Sequence, residues 1–192
     1  TGMTDDDLSD STNVLSSSNA ALTKAMFDVN AMSDAEFAEH LDWVGGKDVD
    51  DTYPASLPNG VANGVTAENR YMIGDPLHSK PIAITYGGTE DSPDITVFFG
   101  TNSGFLHAVD AETGVEEFAF LPEDMMPLQK TLRADSNSVE HVYGIDGSVT
   151  PWVYDHDKDG IIESGDGDFV RFVVGMRRGG RNYYALDVTD RD

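Results

Sequence analysis

Between Asp155 and Asp168 the chain reads Asp-His-Asp-Lys-Asp-Gly-Ile-Ile-Glu-Ser-Gly-Asp-Gly-Asp. Carboxylates alternate at Asp155, Asp157 and Asp159, and Gly160 then permits a sharp turn. Ile161 offers a backbone carbonyl, Glu163 stands ninth and Asp166 twelfth. A calcium loop presents its oxygen ligands in this order, at positions 1, 3, 5, 7, 9 and 12 with glycine at 6. So many acids in one short segment repel one another unless a hard cation sits among them. The expected ligands are therefore Asp155, Asp157, Asp159, the Ile161 carbonyl, Glu163 directly or through water, and Asp166. Asp168 competes with Asp166 to close the site, because the twelfth residue is Asp rather than the usual bidentate Glu. Ca2+ fits better than Mg2+, which demands near-octahedral geometry and retains its waters. A solvated acidic turn is the plain alternative. His156 alternates with the ligand positions and is expected to point outward.

The surroundings of the loop decide what kind of site it is. A calcium sensor of the helix–loop–helix type needs flanking helices, whereas Val149–Tyr154 and Phe169–Val174 read as strands. The same ligand spacing thus sits on a β-hairpin. Upstream, Pro81–Tyr86, Ile95–Gly100, Phe105–Val109 and Val115–Phe120 form a four-strand set separated by turn residues, including Asn102-Ser103-Gly104 and Asp110–Gly114. Past a connection at 122–133 with some helical character, Ser148–Tyr154, Phe169–Val174 and Asn182–Val188 begin a second set. Val97-Phe98-Phe99-Gly100 followed by Ala108-Val109-Asp110 parallels Val173-Val174-Gly175 followed by Ala185-Leu186-Asp187. Repetition of this kind predicts a mainly β fold, a partial β-propeller of four-stranded antiparallel blades behind a small helical N-terminal segment. Residues 1–20 read as disordered or linker, 21–70 as a helical and loop lead-in, and 71–192 as two blades, the second incomplete.

In the lead-in, a helix is expected around Leu22–Asn30 and another from Asp34 to about Val44. The second is the better marked. Ser33 and Glu36 make a capping box, Phe37, Leu41 and Val44 form a stripe, and Gly45-Gly46 ends it. Composition narrows the function classes. Lys and Arg number 12 against 35 Asp and Glu, a formal charge of −23. Such a surface repels phosphate backbones, so nucleic acid is not an expected partner. With no cysteine there are no disulfides or thiolate metal sites. No apolar run reaches the length of a membrane span, and no signal peptide is evident. The start at Thr1-Gly2 reads as that of a processed or excised piece.

Other groups carry less. His78, His107 and His141 lie in separate segments without an i, i+4 pair, which favours structural roles over metal ligation. Ser79 and Ser148 lack a nucleophile-elbow setting. The acid pairs Glu116-Glu117 and Glu123-Asp124 point to opposite strand faces or to solvent. Arg177, Arg178 and Arg181 form a basic cluster able to grip a carboxylate or simply to neutralise an acidic surface.

The segment Gly100-Thr-Asn-Ser-Gly-Phe-Leu-His-Ala-Val-Asp-Ala-Glu-Thr-Gly114 resembles the blade motif of quinoprotein-type propellers. Leu41-Asp-Trp-Val-Gly45, Ile73–Pro81, Phe98–Asp110, Glu117–Pro122, Tyr143–Ser148 and Gly179–Thr189 are, in that order, similar to the C-terminal propeller of the PilC/PilY family of type IV pilus proteins. The resemblance implies a non-enzymatic, calcium-binding protein of fimbrium biogenesis at the cell surface, pilus tip, outer membrane or periplasm. It implies roles in cell adhesion and twitching motility, with pilus components or minor pilins, and a host or abiotic surface, as partners. A fragment of a pyrroloquinoline-quinone enzyme is the alternative in another class, although the chain lacks the vicinal cysteines such enzymes carry. An outer-membrane assembly scaffold with purely structural calcium is a third.

Overall fold

The computed structural model describes residues 10–50, 69–70, 73–134 and 141–191. The chain divides into two units, Thr1–Met72 with Gln129–Ser136, and Ile73–Leu128 with Asn137–Asp192. In the first unit, helix α1 spans Asp34–Val44. The Ser33 hydroxyl accepts from the Glu36 N–H and the Glu36 carboxylate accepts from the Ser33 N–H, so two orphan amides of the first turn are satisfied reciprocally. Gly46, at φ +96°, adopts the left-handed conformation that ends the helix, its N–H donating to the Trp43 carbonyl. The expected helix around Leu22–Asn30 is absent. That stretch forms successive turns, and its Phe27 and Val29 are buried. Tertiary burial, not helical periodicity, organises it. Residues 10–20 are also turns, pinned where the Asn19 amide donates to the Thr12 and Val14 carbonyls. Of the expected loop at 46–70, residues 51–68 lie outside the described part.

The second unit is mainly β. Strands β1 (Ile82–Gly88), β2 (Pro93–Gly100), β3 (Leu106–Asp110) and β4 (Glu116–Phe120) form an antiparallel sheet in sequential order. A 3-10 turn at Glu123–Met125 leads into helix α2 (Met126–Ala134), giving the connection its helical character. Strands β5 (Val149–Tyr154), β6 (Phe169–Gly175) and β7 (Tyr183–Asp187) then form a three-stranded antiparallel sheet, again in sequential order.

The repeated signature occupies equivalent places in the two sheets. Ala108 pairs with Phe98, two residues before Gly100, and Ala185 pairs with Val173, two residues before Gly175. One face of each sheet enters a common core. Ile84, Tyr86, Phe98, Leu106 and Ala108 meet Ile145, Val149, Val170, Phe172, Val174, Leu186 and Val188. At its centre Phe98 and Phe172 pack edge to face with centroids 4.5 Å apart. Each ring at such a position contributes burial worth about 2–3 kcal/mol plus a geometric term of about 1 kcal/mol. The β6 residues Val170, Phe172 and Val174 alternate with exposed Arg171 and Val173, the period-two pattern of a strand with one buried face.

Candidate metal site

The β5–β6 hairpin closes at the pair Tyr154–Phe169, and the acidic segment is the loop at its tip. The loop is folded by its own carboxylates. Asp155 accepts from the Lys158 N–H through one oxygen (2.6 Å) and from the Gly160 N–H through the other (3.0 Å). Asp157 accepts from the Asp159 N–H (3.3 Å), and Asp159 accepts from the Ile161 N–H (2.8 Å). These side-chain-to-backbone bonds are the local pattern that aspartate favours in turns, and each reaches two to five residues ahead. Lys158 (φ +65°) and Gly160 (φ +85°) take left-handed conformations, which swing the backbone round between the acids.

The turn converges the three alternating side chains. One carboxylate oxygen from each of Asp155, Asp157 and Asp159 lies within 4.8 Å of the others. Among the described residues no lysine, arginine or histidine forms an ion pair with any of the three. At such separations like charges repel by about 1 kcal/mol per pair even in bulk water, and by more where solvent is partly excluded. Hard, anionic oxygen donors in this arrangement fit Ca2+. Ile161, Gly160's neighbour, follows the cluster directly and is partly exposed.

Glu163, Asp166 and Asp168 stand apart from this group. Asp166 ends a 3-10 turn over Ser164–Asp166 and is exposed. Asp168 sits at the neck of the loop, where one oxygen accepts from the His156 N–H (2.8 Å) and the other from the Glu163 N–H (3.0 Å). Those two backbone donors, Glu163 first, hold its carboxyl below the usual carboxylate range. Asp168 thus joins the two strands of the loop across twelve residues of sequence. His156 is exposed. Past the acids, the Ile162 N–H donates to the Tyr86 carbonyl (2.9 Å), tying the loop to β1 of the neighbouring sheet.

No protein-family model and no solved structure matches the chain. Among curated proteins, the type IV pilus biogenesis factor PilY1 of Pseudomonas aeruginosa (strain UCBPP-PA14) is 26% identical over 187 residues, covering 86% of this chain. A PilY1 homolog of Xylella fastidiosa (strain Temecula1) is 39% identical over 94 residues, covering 49% of it. The chain is related to the PilY1-type pilus biogenesis factors. It spans 14% and 7% of the lengths of these two relatives. No described helix is long and apolar enough to cross a membrane.

Several histidines of this PilY1-related chain are engaged in packing and hydrogen bonding elsewhere. His107 is buried, bonded to Glu116 (2.6 Å) and stacked on Phe99. His141 approaches Asn102 (3.1 Å), whose amide also donates to Asp75. In the first unit His40 lies between Phe27 and Trp43, and burial pushes it down to about 4, so the imidazole is neutral there. His78 differs. Its Nδ1 lies 2.7 Å from Asp146, a residue 1% exposed that sequence reading passed over. The signal was present in Tyr143-Gly-Ile-Asp-Gly-Ser148, but nothing local says that Asp146 meets a histidine 68 residues away.

Proposed function

We propose that this chain is a calcium-binding, non-enzymatic portion of a PilY1-type protein that supports type IV pilus biogenesis at the cell surface. The reading is carried by the convergence of the Asp155, Asp157 and Asp159 oxygens on a hairpin loop tied at its neck and to the neighbouring sheet. The three aspartates and the Ile161 carbonyl would hold the ion, with Glu163 or Asp166 reaching it after local rearrangement. Asp168 fastens the loop from behind. Calcium would supply the positive charge that the cluster lacks. The two sheets, with their signature in equivalent registers, are read as two blades of a quinoprotein-like β-propeller, the second seen through three strands. Its partners are then pilus components such as minor pilins, its location extracellular or outer-membrane, and its cellular outputs attachment and twitching motility. The relationship to PilY1 factors supports that assignment.

Calcium titration of the full-length protein by calorimetry tests the metal. Wild type is expected to bind one ion through this loop, and Asp157→Ala to lose that heat. Identical titrations of the two proteins would remove calcium from the reading. Complementation of a deletion strain with Asp157→Ala tests the biology, with surface pili and twitching zones as readouts. Normal pili and twitching with a calcium-blind protein would confine the ion to a structural role.

A further inference from the structure

Near the ends of β1 and β6 the second unit has a cavity of about 430 Å3 lined by Leu77, His78, Ser79, Lys80, Ser148 and Arg177. We propose that it is an oxyanion-binding site, taking a carboxylate or a phosphate group, independent of the calcium loop.

Asp146 lies beneath this cavity. Its side chain is fully buried, with one oxygen on His78 Nδ1 at 2.7 Å and the other without a hydrogen bond, 3.7 Å from an Arg177 Nη. A buried carboxylate held this way needs a hydrogen-bonding partner and a positive charge near it, and His78 and Arg177 stand in those places beside the cavity. The contact of Nδ1 with the Asp146 carboxyl orients the His78 ring, which also stacks on Tyr143. Arg177 is not used up in the pairing. At 3.7 Å it makes no hydrogen bond to Asp146, its side chain is half exposed, and its planar fork of donors remains open to a ligand. Lys80 adds a second full charge, and the Ser79 and Ser148 hydroxyls complete a polar wall. The lining therefore carries more positive charge than Asp146 cancels, in a chain whose formal charge is −23.

The site is built by close backbone packing. A Cβ on Gly147 would fall 2.0 Å from the Gly175 carbonyl oxygen, and one on Gly179 would fall 1.8 Å from that of Gly144. Only glycine permits these approaches, so the segment before β5 that carries Asp146 and the turn after β6 that carries Arg177 are locked together. Arg177 itself has φ +47°, a conformation that non-glycine residues adopt at a cost, and one that recurs where a side chain is held for a task. Ser148 Oγ accepts from the Lys80 N–H (3.4 Å), and Ser79 Oγ accepts from the Gly100 N–H (2.9 Å), fixing the opposite wall.

A long polyanion is unsuited to this surface, since the acidic remainder repels it. A single compact oxyanion fits, either free or presented by an acidic side chain of a protein partner. Calorimetric titration of the full-length protein with malonate, inorganic phosphate and a short capped Asp/Glu peptide separates these sources. Saturable binding of malonate or phosphate assigns a small oxyanion, and binding of the peptide alone assigns an acidic partner segment. In either case Arg177→Gln and Lys80→Gln should each weaken binding at least about tenfold, the loss of one charge-assisted contact. Lys130→Gln, on α2, and Asp157→Ala, in the acidic loop, should leave it unchanged, so this site and the calcium loop fail separately. Circular dichroism checks that the half-exposed Arg177 tolerates replacement, and Lys80→Gln provides the second reading. Lack of saturable binding by all three probes at millimolar concentration overturns the proposal, as does equal binding by wild type and both variants.

Discussion

Two clusters of carboxylates in the second unit face the same electrostatic problem and resolve it differently. Asp94 and Glu117, with the Thr96 hydroxyl, surround Arg191, whose guanidinium bonds Asp94 through two nitrogens (2.8 and 2.6 Å) and stacks 4.1 Å over Tyr86. The acids there have a cation of the chain's own, and Asp94 heads the contacts that raise the Arg191 pKa. In the β5–β6 loop Asp155, Asp157 and Asp159 converge without such a partner among the described residues. The first cluster is a finished structural clasp that also carries the buried Tyr86, whose hydroxyl donates to the Val188 carbonyl. The second is a set of converging carboxylates that the proposed calcium ion would neutralise. The difference shows that crowded acids are not themselves a site: what distinguishes them is whether a guanidinium or ammonium already sits in their midst.

The largest expected effect falls on the acidic loop. Calcium at about a thousand times its dissociation constant should stabilise the folded protein by about 4 kcal/mol. Asp157→Ala should abolish that gain while Arg191→Met retains it. Scanning calorimetry with and without calcium reads both, and a calcium shift of equal size in Asp157→Ala would erase the contrast. Next in size, Arg191→Met should cost about 2 kcal/mol in denaturant unfolding whether or not calcium is present, since it strands two carboxylates around a buried tyrosine. Calcium rescue of that loss would show that the clasp, too, can take an ion.

A sharper comparison comes from opposite signs. In calcium-free buffer Asp157→Asn removes a like charge and should be neutral or stabilising by about 0.5 kcal/mol. Asp94→Asn removes the partner of Arg191 and should destabilise by about 1 kcal/mol. Matching signs in the same unfolding assay would show that the two clusters are electrostatically alike.

The smallest effect is local and depends on acid. Asp168 has its folded pKa held below the ordinary 3.8 by the Glu163 and His156 amides. Its stabilising contribution is therefore complete above that ordinary value and is lost as the pH falls through the lower, folded one. Amide exchange at His156 and Glu163 should accelerate over that window, while the Val170 amide, bonded to Thr189 in the core, lags behind. Simultaneous release of all three would mean that the neck is not an independent unit.

Much of this was legible one segment at a time. The capping box at Ser33 and Glu36, the glycine stop at Gly46, the strand alternation from Ile82 onward and the alternating aspartates all act within a few residues, so their outcome is written locally. Residues 22–30 form turns rather than the expected helix, because packing buries Phe27 and Val29 without a helical stripe. Strand ends moved by a residue or two, as for β3, which starts at Leu106 rather than Phe105. The spacing allows Asp168 as a ligand. Only the folded hairpin brings the His156 and Glu163 amides to its two oxygens.

The sequence by itself determined the convergence of Asp155, Asp157 and Asp159, because aspartates two residues apart close turns onto the next amides without help from the rest of the chain. It likewise determined the repeated strand signature that sets two sheets in equivalent register. The tertiary structure alone decided which acids are neutralised. Arg191 reaches Asp94 across 97 residues and His78 reaches Asp146 across 68, pairings fixed by how the sheets pack and by glycines that let backbones touch. Charge is a property of residues, but compensation of charge is a property of distance in the fold.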